Sequence, residues 1–184
     1  MAKKAKFQPV AFFMGILYAD ETVRDKTLAL AEVLFGPLEL RTEPISFEYT
    51  DYYNDEMGED IMRMWVGSPE LADPADLANW KLATDEIEWQ FTVDGRRTIN
   101  LDPGFVGLSK VVLASLKDHP QRVPLKDGVY ADIELIFKHD RWHTTPWTYP
   151  DYVDKPALDF LTKLREALLA ELKSKARNLG QVRK

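Results

Sequence analysis

Residues 10–18, VAFFMGILY, form a nearly unbroken apolar run, the pattern of a central strand covered on both faces. The next stretch, ADETVRDKTLALAEVLFGP, opens on acids and places Val23, Leu28, Leu30, Ala31, Leu34 and Phe35 at helical spacing. It stops at Gly36-Pro37, so a helix is predicted. LELRTEPISFEYT alternates at Ile45, Phe47 and Tyr49, a strand that Pro44 confines to an edge or a bulge. Strand, helix and strand in that order predict a right-handed crossover and a parallel pair.

After the polar segment DYYNDEMGED, IMRMWVG resumes alternation as a third strand. Asp73 then supplies a cap and Pro74 a first helical position. Leu77, Trp80, Ile87 and Phe91 carry an amphipathic helix to about Val93, and DGRR is a turn. TINLDPGF reads as a strand end followed by a proline-glycine turn. The apolar run from Leu108 to Leu116 fits a strand or a buried helix equally. GVYADIELIF and RWHTTPW form a hairpin through KHD. Leu158, Leu161, Leu164, Leu168 and Leu172 mark a long C-terminal helix that fades into KSKARNLGQVRK.

The sum is an α+β (or α/β) single domain: a mixed central sheet of six to seven strands, two to three helices packed on it, a β-α-β start and a long C-terminal helix. The expected organisation is a basic flexible N-terminus over 1–9, the folded domain over 10–174 and a basic tail over 175–184.

Composition narrows the function classes. With 184 residues, 45% of them hydrophobic, the chain suits one core. A net charge of −6 makes the surface as a whole repel nucleic acid and anionic membranes. The absence of cysteine excludes disulfides, thiol nucleophiles and cysteine-ligated metals, and fits a cytoplasmic protein. The N-terminus is read as a basic tip followed by a buried strand, because its apolar run has neither the length of a membrane span nor a small-x-small cleavage pattern.

Candidate chemistry gathers at the breaks between apolar elements. GFVGLSK has glycines three apart with lysine after serine, which fails the phosphate-loop pattern but leaves backbone N–H groups for an anion. In NLDPGF, Pro103-Gly104 suits the centre of a type II turn. Asp102 either stabilises that turn or stands as a strand-end carboxylate for a metal or a ligand hydroxyl. SLKDHPQR sets Lys117, Asp118, His119 and Arg122 together, a phosphate-binding cluster with an acid–base group or a solvated loop. TDYYNDEMGED offers oxygen ligands for magnesium without calcium-loop spacing. His139 and His143 share strand parity but lack a third zinc ligand. Lys3, Lys4, Lys6, Lys173, Lys175, Arg177, Arg183 and Lys184 make the termini basic, without interleaved aromatics for stacking on RNA. In PWTYPDY, Trp147 and Tyr149 are expected to pin the last helix to the sheet, with Asp151 helping to start it.

Thr50-Asp51-Tyr52-Tyr53 with Glu56-Met57-Gly58, Asn100-Leu101-Asp102-Pro103-Gly104, Lys117-Asp118 with Arg122, and Pro146 to Tyr152 occur here in one order. In these segments the chain resembles an uncharacterised prokaryotic group, domain-of-unknown-function family 4416, from about Val10 to the final helix. The resemblance implies nucleotide binding, since members carry a GTP-binding label. The residues of a GTPase are absent, because Asn79 and Asn100 are not followed by the lysine of a guanine-reading motif.

The leading expectation is a cytoplasmic domain that binds a nucleotide or phosphorylated small molecule, with magnesium as candidate cofactor. Arg96, Arg97, Lys110, Lys117 and Arg122 would supply positive charge and His119 an acid–base group. Asp51, Asp102 and Asp118 would hold metal or hydroxyls, and Tyr52, Trp147 and Tyr149 would stack on a ring. The alternatives are a non-enzymatic protein-interaction module and RNA binding through the basic termini. The discriminating observation is whether Asp102, Lys117, Arg122 and Asp151 face one cavity.

Overall fold

A computed structural model describes residues 6–181. The first apolar run forms β1 (Val10–Tyr18), buried along its whole length. Asp20 then caps α1 (Glu21–Phe35) by accepting from the backbone N–H groups of Thr22 and Val23, and Gly36 ends the helix at φ 81°. Two short strands, β2 (Leu40–Arg41) and β3 (Ile45–Ser46), and a single turn of helix, α2 (Asn54–Met57), lead to β4 (Met62–Ala72). Asp73 accepts from the Ala75 N–H ahead of α3 (Leu77–Gln90). There follow β5 (Ile99–Val106), β6 (Lys110–Ser115), β7 (Val123–Pro124), β8 (Tyr130–Lys138), β9 (Arg141–Thr144) and α4 (Lys155–Gln181).

Among the described residues the strands form one nine-stranded sheet in the order β2-β4-β1-β5-β6-β8-β7, with β3 beside β4 and β9 beside β8. The fold is α+β in a single domain with a long C-terminal helix, as expected. The expected parallel pair is corrected: every strand pairing is antiparallel. After α1 the chain supplies only two-residue strands broken near Pro44, too short to serve as the ladder of a nine-residue β1. The eleven-residue β4 takes that place, and β2 and β3 attach to its far side.

Three local expectations change as well. Phe47 and Tyr49 leave the sheet and pack on each other, with Phe47 also against Tyr53. Asp102-Pro103-Gly104 is not a turn but the interior of β5, opposite Gly15, Met14 and Phe13 of β1. A side chain at 104 would meet the Val112 carbonyl at 2.4 Å and the Phe13 ring at 2.9 Å, so close approach rather than turn geometry requires this glycine. Leu108 to Leu116 resolves as strand β6. At the ends, residues 175–181 continue α4 instead of forming a tail, and α3 stops at Gln90. The KHD hairpin turns through His139 and Asp140, both with positive φ.

Alternation divides the sheet into two faces. On one, Phe13, Trp65, Val106, Leu113 and Leu135 meet Phe160, Leu161, Leu164 and Leu168 of α4. On the other, Phe12, Met14, Ile16, Val66 and Leu101 meet α1 and α3. Helix α4 does not cover its whole face. Next to the apolar core lies a polar area roofed by residues 47–57 and the 145–154 connector.

Candidate functional site

That polar area forms a cavity of about 370 Å³ lined by 18 residues. Its position follows from the strands. Among the described residues, β5 and β6 pair only over Gly104–Val106 against Val111–Leu113. The ladder ends where Pro103, which has no N–H to donate, would come next. Past that point Asp102 lines the cavity from β5 and Ala114 and Ser115 from β6.

The floor is a buried ion cluster built on Arg63 of β4, only 2% exposed. Its Nη1 donates to Asp102 Oδ2 at 2.9 Å, and its Nη2 lies 2.9 Å from Asp151 Oδ2. The guanidinium rests over the rings of Trp65 and Tyr152. Gly15 of β1 makes room for it: a Cβ there would stand 2.7 Å from Nη2. Burial pushes the Asp151 carboxyl above its ordinary range against the pull of Arg63, and raises the Tyr152 phenol well above its own.

The second wall centres on Arg122. Its Nε donates to Asp132 Oδ2 at 2.7 Å, Nη1 to Ser115 Oγ and the Lys117 carbonyl, and Nη2 to Tyr149 Oη at 2.8 Å. Asp132 is 1% exposed and its Oδ1 has no partner among the described residues. Behind this wall lies Glu134, fully buried. One of its oxygens accepts from the Tyr149 backbone N–H and the other has no partner among the described residues. Burial, reinforced by Asp132 and Asp151, raises the Glu134 carboxyl to about 8, so it holds a proton at neutral pH.

Tyrosines ring the mouth. Lys117 Nζ donates to Tyr52 Oη at 3.1 Å and lies over the same ring, which lowers the Tyr52 pKa. Tyr49 hydrogen-bonds Asp154, raising its phenol to about 12. Together these two contacts hold the 47–57 segment across the opening. At the other end of that segment Glu56 pairs with Arg97 at 2.7 Å. Arg97 donates on to Asn100 and Asn100 to Asp102, so the roof and the floor share one chain of hydrogen bonds.

Of the residues singled out by sequence, Asp102, Lys117, Arg122, Asp151, Tyr52 and Tyr149 line this one cavity. Arg97 supports it from outside. Lys110 and Trp147 instead line a groove of about 620 Å³ on the opposite face of the sheet. Arg96 pairs with Val93 in the turn before β5, Asp51 accepts from Asn54, and neither Asp118 nor His119 lines either cavity. The candidate metal set Asp51, Asp102 and Asp118 therefore does not converge, and no group of three or more metal-ligating side chains occurs among the described residues. Lys3, Lys4, Arg183 and Lys184 of the basic termini lie outside those residues.

The PWTYPDY segment also takes different roles from those expected. Tyr152, not Trp147 or Tyr149, packs into the core against Phe13 and Trp65. Trp147 Nε1 donates to the Ile133 carbonyl of β8. Asp151 holds Arg63, and α4 begins beyond it at Lys155.

Sequence reasoning missed Arg63, Asp132 and Glu134. For Arg63 there was a signal: within IMRMWVG it shares strand parity with Trp65, so a charge had to sit on the covered face.

No described helix is long and apolar enough to cross a membrane. The model of the family described as Domain of unknown function (DUF4416) matches residues 8–168. No curated protein and no solved structure matches the chain. The chain belongs to the DUF4416 family.

Proposed function

We propose that this member of the family is a cytoplasmic binding protein for a phosphorylated small molecule or nucleotide, held in the cavity between β5 and β6. The observation that carries this reading is convergence. Tyr52, Asp102, Lys117, Arg122, Tyr149 and Asp151 come from four separate segments and meet at one concave, partly apolar site with a buried charged floor. Arg63 and Arg122 are engaged by carboxylates. Lys117, whose ammonium meets a phenol, is the cation that receives the ligand's phosphate. The rings of Tyr52 and Tyr149 flank a sugar or base. Magnesium enters only with the phosphate, because the described carboxylates do not form a metal cage of their own.

Thermal-shift measurements on the full chain with nucleotides and sugar phosphates, with and without magnesium, test the reading. A ligand at about a hundred times its Kd stabilises by about 2.7 kcal/mol. Absence of any shift at millimolar concentrations rejects it.

A second reading, a protein-interaction module, is favoured by the groove on the opposite face. Phe7, Val123, Leu125, Ile133 and Trp147 line it and are all exposed. It predicts a stable complex on pull-down that is lost in Ile133→Asp.

A further inference from the structure

Resting on the phosphate-binding reading of the cavity, we infer that its ligand also carries a hydroxyl that donates to Asp132 Oδ1, which makes it a polyol phosphate, such as a sugar phosphate or the ribose end of a nucleotide. Asp132 lines the cavity, is 99% buried and leaves Oδ1 without a partner among the described residues, while Oδ2 accepts from Arg122 and Gln121; Oδ1 itself has under 1 Å² of accessible surface, so the ligand hydroxyl meets it on a small turn of the Asp132 side chain. A buried acceptor without a donor is costly, and a ligand group that supplies the donor removes that cost.

Charge decides which donor fits. The cavity is lined by three cations, Arg63, Lys117 and Arg122, and three carboxylates, Asp102, Asp132 and Asp151. Arg63 already spans Asp102 and Asp151, and Arg122 already holds Asp132. An ammonium at Oδ1 would duplicate a charge that Arg122 supplies. A neutral hydroxyl completes Asp132 without disturbing the balance, and leaves Lys117 for the anionic end. The two demands lie at different points of the cavity: Arg122 Nε holds Asp132, and the Lys117 ammonium stands beside Tyr52 Oη. A single small molecule with a phosphate and a hydroxyl meets both.

Calorimetric titration of the full chain with ribose 5-phosphate, glucose 6-phosphate, ethyl phosphate and inorganic phosphate tests this. At least one polyol phosphate is expected to bind about ten-fold or more tighter than ethyl phosphate, the usual worth of a hydrogen bond to a charged group. In Asp132→Asn that ratio should collapse toward one, whatever the substitution does to ethyl phosphate binding itself. Equal affinity of all four for the unmodified protein overturns the hydroxyl assignment and leaves the phosphate site standing. A ratio that survives in Asp132→Asn overturns the role of Asp132. No binding of any of the four to the unmodified protein overturns both. Because the wild-type comparison needs no substitution, the inference is testable even if Asp132→Asn fails to fold.

Discussion

Two regions of the same sheet face differ by a step of two to four residues along each strand. Under α4 the face is apolar: Phe13 on β1, Trp65 on β4, Val106 on β5, Leu113 on β6 and Leu135 on β8. A short way along the same strands stand Gly15, Arg63, Asp102, Ser115 and Asp132, all cavity liners except the glycine that makes room for Arg63. The apolar half is stabilised by non-directional burial against leucines. The polar half needs a partner for every charge, and its burial costs free energy that pairing only offsets. A chain selected for stability alone would have extended α4's leucine contacts over both. The buried charge borders the cavity in which the proposal above places the ligand.

The contrast can be broken most strongly at Arg63. Arg63→Ala leaves Asp102 and Asp151 facing each other without a counter-charge and is expected to lose about 3–5 kcal/mol in chemical denaturation. Leu164→Ala in the apolar half is expected to lose a comparable 2–5 kcal/mol by leaving a cavity. The two differ in rescue. Adding Asp102→Asn and Asp151→Asn should recover most of the Arg63→Ala loss and none of the Leu164→Ala loss. If the two asparagines do not rescue Arg63→Ala, Arg63 acts by packing and the contrast fails.

A smaller effect sharpens the contrast through pH. Glu134 has a folded-state pKa near 8 against an ordinary 4.5, so the folded state holds a proton that the unfolded chain has released across that window. Its contribution is fully present below about 4.5 and is lost as pH rises through about 8, with a slope of up to about 1.4 kcal/mol per pH unit. Glu134→Gln should flatten denaturation curves collected between pH 5 and 9, and be the more stable form at the alkaline end. An unchanged pH profile would place an ionised Glu134 in the folded protein.

The smallest expected change is at the mouth. Lys117→Ala should alter stability by no more than about 0.5 kcal/mol, because the residue is solvent-exposed, while weakening phosphate binding in calorimetry about ten-fold. A large stability loss would make the Lys117–Tyr52 contact the main support of the 47–57 roof rather than the weaker of its two ties.

How much of this was legible in the sequence depended on range. β1, α1, the capped start of α3, the β8–β9 hairpin and α4 announce themselves in local periodicity and caps, and each occurs close to its expected bounds. Strand pairing did not, because the antiparallel insertion of β4 between β1 and the β2 and β3 edge is a long-range choice governed by strand length. Asp102 looked like a turn residue because proline and glycine usually signal one. Here Pro103 ends a ladder and Gly104 admits a neighbouring carbonyl. Asp132 and Glu134 sit in a stretch whose alternation reads as a solvent-facing side. That side is covered by the Thr148–Tyr149 connector, which hydrogen-bonds Glu134, and periodicity carries no trace of such a cover. Six of the cavity residues were found because polar residues collect at breaks between elements, where α+β folds leave openings.

The short β5–β6 ladder has a mechanical consequence. β1 to β5 form one raft and β6 to β9 another, joined in the sheet by three residues of each strand, with α3 packed across both on the opposite face. A small rotation about that seam would change the width of the cleft while leaving each raft's own hydrogen bonds intact. Amides at the seam should then exchange with deuterium faster than those of the β1–β5 ladder, and slow when the cleft is filled.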